Sequence, residues 1–563
     1  MWVKTLLLLF VFSFLFRTDH SFDQDLGRHL KLGEIITQTG SVPKTNLFSY
    51  TNGDFPFINT HWLFEVLVFW ANQTIGIQSL IVLKILIILL SVWLTLKIIP
   101  KENAAFFLPV GFIFLHVIRE RAELRPEIFS FLFTSVTYYI LEKYIRGSTK
   151  LAFLLPLIQL LWINTHIYFF VGLILQSIFL IQLTFHKLRS HLSSGKLELL
   201  AFIFILSVFI SLINPHGLSG LLYPLNVTKN YGYTIVENQT MFLLESINFR
   251  DPNFLFVKLA AALIVLSLTV SLIRRKFHIL SFLLSLIGMT LALLNVRSFP
   301  YLVFLSLPAV LQNFGVIRFK GLTFVLSLVT CTLLLLESFL YLNGSYYKYT
   351  DNQHQVGLGY IESGKGAMDF VLSNNLTGPI FNNFDIGSYI LYRGYPKYQV
   401  FSDGRPEAYP AQFFTGIYIP SQSEYKNFKE VEKLYGFKTI IFSHTDQTPW
   451  GQNFLKSVVK DAEWRLVYVD DFMVVLTKPE VVESNKLTVV DLSQVSPNSY
   501  QFNNHLSYLR LAVFLINNNY SNGIQFVQKA LQINPDSPYA NTVLGNLTGQ
   551  TIYTAKSKNL FFW

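Results

Sequence analysis

Long apolar runs alternate with short basic segments along the first 342 residues of the chain. A helix that crosses a bilayer needs roughly 20 mostly apolar residues, fewer where long basic side chains extend its ends. Runs of this kind cover about 2–16, 77–96, 104–118, 127–145, 151–163, 168–185, 198–213, 254–273, 277–294, 299–314 and 321–342. The stretch 151–185 is too long for one span and carries Asn164-Thr165-His166 at its middle, which divides it in two. Loop charge agrees with the resulting count of about eleven. With the N-terminus inside, the inner loops hold Lys97 and Lys101; Lys143, Arg146 and Lys150; Lys187, Arg189 and Lys196; Arg274, Arg275 and Lys276; Arg318 and Lys320. That is the bias cytoplasmic loops show. The first run follows Lys4, lacks a small-x-small cleavage site and is followed by Arg17, so it reads as an uncleaved helix rather than a signal peptide. An odd number of spans places everything after Leu342 on the outer face.

Three outer segments are more than turns: 17–76, 214–253 and 343–563. Within the last, 343–480 has an α/β pattern. Gln399–Phe401, Thr439–Phe442, Leu466–Val469 and Met473–Leu476 suit strands, and Gly366–Ser373 and Glu424–Tyr435 suit helices. Residues 481–504 read as a linker, and 505–548 as two amphipathic helices with a turn at Asn534-Pro535-Asp536, inside a terminal segment 505–563. The fold class is therefore mainly α: a polytopic transmembrane bundle over 1–342, an outer-face α/β domain over 343–480, and a short helical tail.

Composition sharpens this picture. Hydrophobic residues make up 52% of the 563 and charged residues only 14%, where a soluble domain carries about a quarter charged. The net charge of +10 suggests a nucleic-acid partner until the basic residues are located in the inner loops, which assigns them to topology and excludes nucleic acid. The one cysteine, Cys331, lies in an apolar run, so neither a disulfide framework nor a cysteine-rich metal site forms within the chain.

Candidate chemistry begins in the first outer loop, Phe22-Asp23-Gln24-Asp25-Leu26-Gly27-Arg28-His29. Asp23 and Asp25 suit either a divalent cation or a general base; such pairs are also common in solvated loops. His61 and Glu65 are four apart, on one face if helical, within an aromatic segment that suits the membrane interface. Arg119, Arg121 and Arg125 lie on the side of the membrane where few basic residues are expected, and Arg297 joins them there. Arginine suits phosphate because its planar fork donates paired hydrogen bonds, although pairing with Glu120 or Glu123 would also explain them. Asn164, His166 and His216, the last in Asn214-Pro215-His216-Gly217, put polar groups at membrane depth, where they often mark a site. Gly359-x4-Gly364-Lys365 has phosphate-loop spacing but lacks the following Ser or Thr and a preceding strand, so it is set aside.

Taken together these residues resemble the GT-C class of integral membrane glycosyltransferases. More narrowly they resemble a group of bacterial membrane proteins whose first loop reads D-x-D-x-x-x-H-L-x-x-G, followed by a Pro-x-x-x-x-Phe-Ser-Tyr stretch. Asp23, Asp25, His29 and Gly33 match the first motif, and Pro43, Phe48, Ser49 and Tyr50 the second. His61, Trp62, Leu63 and Glu65 match a third motif loosely, and Arg125-Pro126 also falls where that group has similar residues. In the outer portion Asn382-Asn383-Phe384-Asp385-Ile386-Gly387-Ser388-Tyr389 and Asp403-Gly404-Arg405 resemble the same group's N-x-x-D-x-G-x-Y and D-G-R pattern. This region is faintly similar to the W-W-D-Y-G segment of oligosaccharyltransferase catalytic subunits, without the tryptophans. Leu511-Ala512, Gly523-Ile524, Lys529-Ala530-Leu531 and Asn534-Pro535 resemble one tetratricopeptide unit, too short to stack alone.

The resemblance implies transfer of a sugar from a polyprenyl-phosphate-linked donor to a glycan, lipid or protein acceptor at the outer face of the cytoplasmic membrane. Asp23 or Asp25 would act as base or hold a cation such as Mg or Mn, with His29 beside them. Arg119, Arg121, Arg125, Arg297, His61, Glu65, Asn164, His166 and His216 would contact substrate. Asp385, Asp403 and Arg405 would form the acceptor or soluble-domain site. Membrane lipid, and a protein partner on the C-terminal helices, complete the expected contacts. The rivals are a glycolipid-binding or envelope-assembly protein and, further off, a transporter or flippase.

Overall fold

The computed structural model describes residues 2–99, 106–190, 195–226, 230–249, 251–315 and 320–550, with the side chains of Asp23, Arg189, Ser190, Lys320 and Leu322 outside that description. Lys101, Arg318 and residues 551–563, invoked above, also lie outside it. The first part of the chain is helical: α1 (Trp2–Leu15), α2 (Gly27–Thr39), α3 (Trp62–Ile75), α4 (Gln78–Ile98), α5 (Phe107–His116), α6 (Glu127–Ile145), α7 (Leu155–Thr165) and α8 (Phe170–Ser190). It continues through α9 (Gly195–Ile210), α10 (Leu218–Leu222), α11 (Met241–Ser246), α12 (Pro252–Ile273), α13 (Ile279–Leu294), α14 (Leu307–Phe314) and α15 (Lys320–Leu342).

Among the described residues, four helices are long and apolar enough to cross a membrane: Gln78–Ile98, Ile167–Leu188, Pro252–Ile273 and Thr323–Leu342. At 1.5 Å per residue the 21 residues of α4 reach about 31 Å, the thickness of a hydrocarbon core. Trp2–Leu15, Phe107–His116, Lys150–Thr165 and Ile279–Leu294 are apolar but shorter. On α15, Phe324, Leu328 and Phe339 are 70%, 58% and 63% exposed, a face that suits lipid and that water would penalise. The break expected at Asn164-Thr165-His166 is present. His166 takes an extended conformation between α7 and a single turn at Ile167–Phe169 that leads into α8.

After α16 (Ser345–Tyr349) and α17 (Lys365–Ser373), the outer portion builds a small sheet. Its elements are β1 (Ile380–Asn382), α18 (Gly387–Gly394), α19 (Ile419–Ser423), α20 (Tyr425–Tyr435), β2 (Thr439–Ser443), α21 (Pro449–Val458), β3 (Arg465–Val469) and β4 (Met473–Thr477). The strand order is β1-β2-β4-β3. β1 runs parallel to β2, with Phe381 opposite Ile440, and the other neighbours are antiparallel, with Ile441 opposite Val475. All residues of β2 and β4 are buried, as expected of continuous apolar strands packed on both faces.

Two expectations need correction. Gln399–Phe401 is no strand of this sheet: the Val400 N–H donates to the Phe48 carbonyl at 3.0 Å, so its backbone partner is the first outer loop. The tail after α22 (Pro479–Asn485) forms three helices rather than two: α23 (His505–Asn517), α24 (Gly523–Ile533) and α25 (Pro538–Thr548). The third begins at a start signal, the Ser537 hydroxyl accepting from the Ala540 N–H with Pro538 at the first helical position. Leu492, Leu511, Phe526 and Leu544 share one apolar core with Phe381 and Phe442 of the sheet.

The first loop ties the two parts of the molecule together. The Thr18 N–H donates to the Gln355 carbonyl at 2.7 Å, and the Asp19 N–H to the Gly359 carbonyl at 2.9 Å. α2 packs on both α3 and α18. Gly33 makes the first of these packings possible, because a Cβ there would lie 2.1 Å from the Glu65 carbonyl oxygen.

Candidate active site where the first loop meets the outer portion

Asp25 sits in a single wide helical turn, Phe22–Leu26, that runs directly into α2. Such wide turns inside helices are rare and recur at functional sites. Arg28, one turn on, donates to Asp25 Oδ1 at 3.3 Å, and Arg125 Nε lies 3.4 Å from Oδ2. Burial works to raise the Asp25 carboxyl, but Arg125 and then Arg28 outweigh it and hold it below the usual carboxylate range.

Arg125 leads to a cluster. Glu237, on the outer loop between α10 and α11, accepts from Arg121 at 2.8 Å, Arg125 at 2.6 Å and Arg297 at 2.9 Å. Glu127, in the first turn of α6, takes a second contact from Arg121 at 2.7 Å. With Arg28 and Asp25 this makes four guanidiniums against three carboxylates. The Nε atoms of Arg121, Arg125 and Arg297 are buried without a hydrogen-bond partner. Burial raises the Glu237 carboxyl, and the three arginines overcome it, leaving it well below its ordinary range.

Arg119 does not join this cluster. It donates to Glu120 and to the Tyr341 hydroxyl at 2.8 and 2.9 Å and lies against Tyr346 inside the helix bundle. Arg119–Arg121 is one tight turn with three residues per rotation, so residues 119 and 121 point roughly 120° apart around its axis. Arg121 in turn pairs with Glu127 and Glu237 rather than with Glu120 or Glu123.

The other polar residues singled out in the sequence form one connected row. His61 precedes α3 in a non-helical conformation, so the pairing with Glu65 that its spacing suggests does not form. Instead His29 Nδ1 lies 3.0 Å from Glu65 Oε1, and Asn59 donates to Oε2 at 2.6 Å. The Asn59 N–H donates to His216 Nε2 at 3.2 Å, and Trp62 donates to the Asn164 side chain at 2.7 Å. The His61 ring lies 5.8 Å from His29 and 5.6 Å from His166, and the Ser130 hydroxyl meets His166 at 2.6 Å. Burial, with Arg28 next, depresses His29 well below its usual range, and burial with His29 lowers His61 to about 3. Burial raises the Glu65 carboxyl against the Asn59 hydrogen bond.

From the outer portion, Gly404 approaches so closely that a Cβ on it would lie 3.6 Å from Asp25 Oδ1. Asp385 is exposed yet ringed by protein; burial and the neighbouring carboxylates of Asp446 and Asp25 push it up to about 7. Asp403 and Arg405 stand apart from any open surface. Arg405 donates to both Asp403 oxygens at 2.7 Å, donates to Asn46 at 2.7 Å and stacks near Phe48 and Phe57. The Asp-Gly-Arg and Phe-Ser-Tyr motifs are therefore two halves of one buried joint rather than a surface for acceptor.

The arrangement bears on the cation expected at the aspartates. Both oxygens of Asp25 face guanidiniums, Arg28 at Oδ1 and Arg125 at Oδ2, so the described residues do not fit a metal at Asp25. Glu237 and Glu127 escaped the sequence reading. They lie 6 to 116 residues from their partners, and the available signal was the need for outer-loop acids to balance outward arginines.

Solved structures similar to this one are archaeal oligosaccharyltransferases from Archaeoglobus fulgidus. One, AglB in complex with an inhibitory peptide and a dolichol-phosphate, matches with TM-score 0.55 and 11% identity over 95% of this chain and 86% of that one. An apo-form oligosaccharyltransferase matches with TM-score 0.54 and 12% identity over 81% of this chain and 71% of that chain. No protein-family model and no curated protein sequence matches.

Proposed function

We propose that this chain is a membrane glycosyltransferase that moves a sugar from a polyprenyl-phosphate-linked donor to an acceptor hydroxyl. In this reading about eleven helices span the cytoplasmic membrane, inner loops are basic, and residues 343–550 lie outside with the first loop. The observation that carries the reading is the meeting of one ionised carboxylate, Asp25, with arginines whose donors exceed their protein partners. The likeness to a fold solved with dolichol-phosphate and a peptide supports it.

The chemistry follows from that meeting. The acceptor oxygen bonds the anomeric carbon while its proton passes to the Asp25 carboxylate. The bond from that carbon to the phosphate oxygen breaks, and its electron pair leaves on the phosphate. Arg121, Arg125 and Arg297 neutralise the charge that develops there, which is often the largest single contribution to such a reaction. The Glu237 carboxylate occupies the place of that anion in the resting protein, so donor binding displaces it. The row His29–His61–His166 lines the approach, and Asp385 faces Asp25 from the acceptor side.

The test is binding and turnover of a panel of short-chain polyprenyl-phosphate sugars by purified protein, wild type beside Asp25→Asn and Arg297→Ala. Asp25→Asn should keep donor binding and lose about 10²- to 10⁴-fold in transfer, the range for a general base. Arg297→Ala should weaken donor binding by about tenfold, one lost charge-assisted bond. Full transfer by a folded Asp25→Asn protein, or no product from wild type with any carrier, overturns the proposal.

A further inference from the structure

A second cluster lies one step behind Asp25 and Arg125, at the joint between the helix bundle and the outer portion. His20, Glu123 and His354 come from the end of the first span, the loop before α6 and the chain after α16. They offer one ligand atom each, all within 4.8 Å of one another. His20 Nδ1 lies 3.6 Å from Glu123 Oε1, and His354 Nε2 lies 3.4 Å from the same oxygen. Ligands at about 2.1 Å from a tetrahedral ion are about 3.4 Å apart.

Two further features point to an ion at the centre. Glu123 Oε2 and His20 Nδ1 are buried without a hydrogen-bond partner, although Glu123 is only 8% exposed. The Thr18 carbonyl, 2.7 Å from His354 Nδ1, can only accept, so Nδ1 carries a proton and Nε2 is the ring nitrogen that faces Glu123. A carbonyl behind the far nitrogen is the usual way a protein fixes a ligating imidazole. Arg17 donates to the same Glu123 Oε1 at 3.2 Å, and a carboxylate oxygen keeps a second lone pair for an ion. The scaffold is rigid: Thr18 and Asp19 pair by backbone with residues 355–361, and Asp19 Oδ2 accepts from both the Leu124 N–H and Lys84 at 2.9 Å.

We propose that His20, Glu123 and His354 bind a divalent transition-metal ion, zinc in character, that pins the outer portion to the bundle. Two imidazoles and one carboxylate are the donor set that suits zinc rather than magnesium or calcium. The ion is a positioning element. His20 is five residues before Asp25 and Glu123 two before Arg125, so it fixes the roots of both arms of the site. Water completes its coordination.

Metal content of the full chain, purified without a histidine tag, stripped with chelator and re-equilibrated with Zn²⁺, tests this. Wild type should retain roughly one zinc per chain, and His20→Ala and His354→Ala should each weaken binding by at least about tenfold. His278→Ala, which removes an exposed histidine just before α13, should bind as wild type. Should the ligand variants fail to fold, Co²⁺ added to wild type decides: intense visible absorption marks tetrahedral coordination, and its absence overturns the site. A monodisperse wild type that holds no zinc, or ligand variants that bind it unchanged, also overturns it. None of these readouts involves turnover, so this proposal and the transfer reaction can fail separately.

Discussion

Asp403 with Arg405, and Glu237 with Arg121, Arg125 and Arg297, are both assemblies of arginine and carboxylate, and they have different surroundings. In the first, the two side chains are 0% and 2% exposed, and each carboxylate oxygen receives a guanidinium nitrogen at 2.7 Å. Tyr409 and Asn46 add further hydrogen bonds. In the second, Glu237 and Arg297 are 25% and 30% exposed, and three guanidiniums share one carboxylate. A buried pair with every group matched has nothing left to offer a ligand. A half-open cluster with more cations than anions keeps its capacity for phosphate.

Removing one partner from each assembly should separate them most. Arg405→Ala leaves Asp403 charged and alone in the interior, and breaking such a pair costs about 3–5 kcal/mol. Arg297→Ala removes one of three cations at a solvated edge and should cost under about 1 kcal/mol. Thermal unfolding of the two purified variants beside wild type measures both. Equal losses would mean that the open cluster is as structural as the closed one.

The sequence located the long apolar helices Gln78–Ile98, Pro252–Ile273 and Thr323–Leu342 well, because a run of about 20 apolar residues has few alternatives in a chain with so little charge. The break at His166 was visible for the same reason, as polar residues interrupting a run too long for one span. Asp25 and His29 stood out through motif spacing and Arg125 through its place on the outer side, and the structure brings them together with Glu65, Asn164 and His216 in one region. What spacing misses is partnership across the chain. Glu237 lies 112 residues from Arg125, and His29 meets Glu65 because Gly33 lets two helices approach, a fact of packing rather than of local pattern. Gln399–Phe401 has the composition of a strand, but its edge is satisfied by Phe48, so composition alone could not choose its partner. Asp403 and Arg405 looked like a site because charged residues in a motif suggest chemistry; their mutual burial shows a joint.

Glu237→Gln sharpens the comparison next. It keeps the shape of the loop and removes the anion that the three arginines share. If that carboxylate competes with donor phosphate, the variant should bind polyprenyl phosphate about three- to tenfold more tightly, with the gain shrinking as salt screens the arginines. Equilibrium binding at two ionic strengths reads this out. Weaker binding would show instead that Glu237 organises the arginines and belongs with the closed, structural kind of cluster.

The smallest effect concerns Asp385, a carboxyl that feels the charges of Asp446 and Asp25. Burial and the charges of Asp446 and Asp25 raise it to about 7 in the folded protein, against roughly 3.9 for a free aspartate. Between those values the folded state holds the proton that the unfolded state has lost, so this group's contribution to stability falls as pH rises toward 7. Asp385→Asn removes the titration. Its melting temperature should therefore gain on wild type between pH 5 and pH 8, by a small margin because the side chain is exposed and water screens the repulsion. Asp446, raised by its own burial, hydrogen-bonds Thr448 and Asn383 and stays in both proteins, so the difference between them isolates Asp385. A gain that is the same at both pH values would mean that Asp385 is ionised throughout, and the two aspartates would then not divide into a charged base and a protonated neighbour.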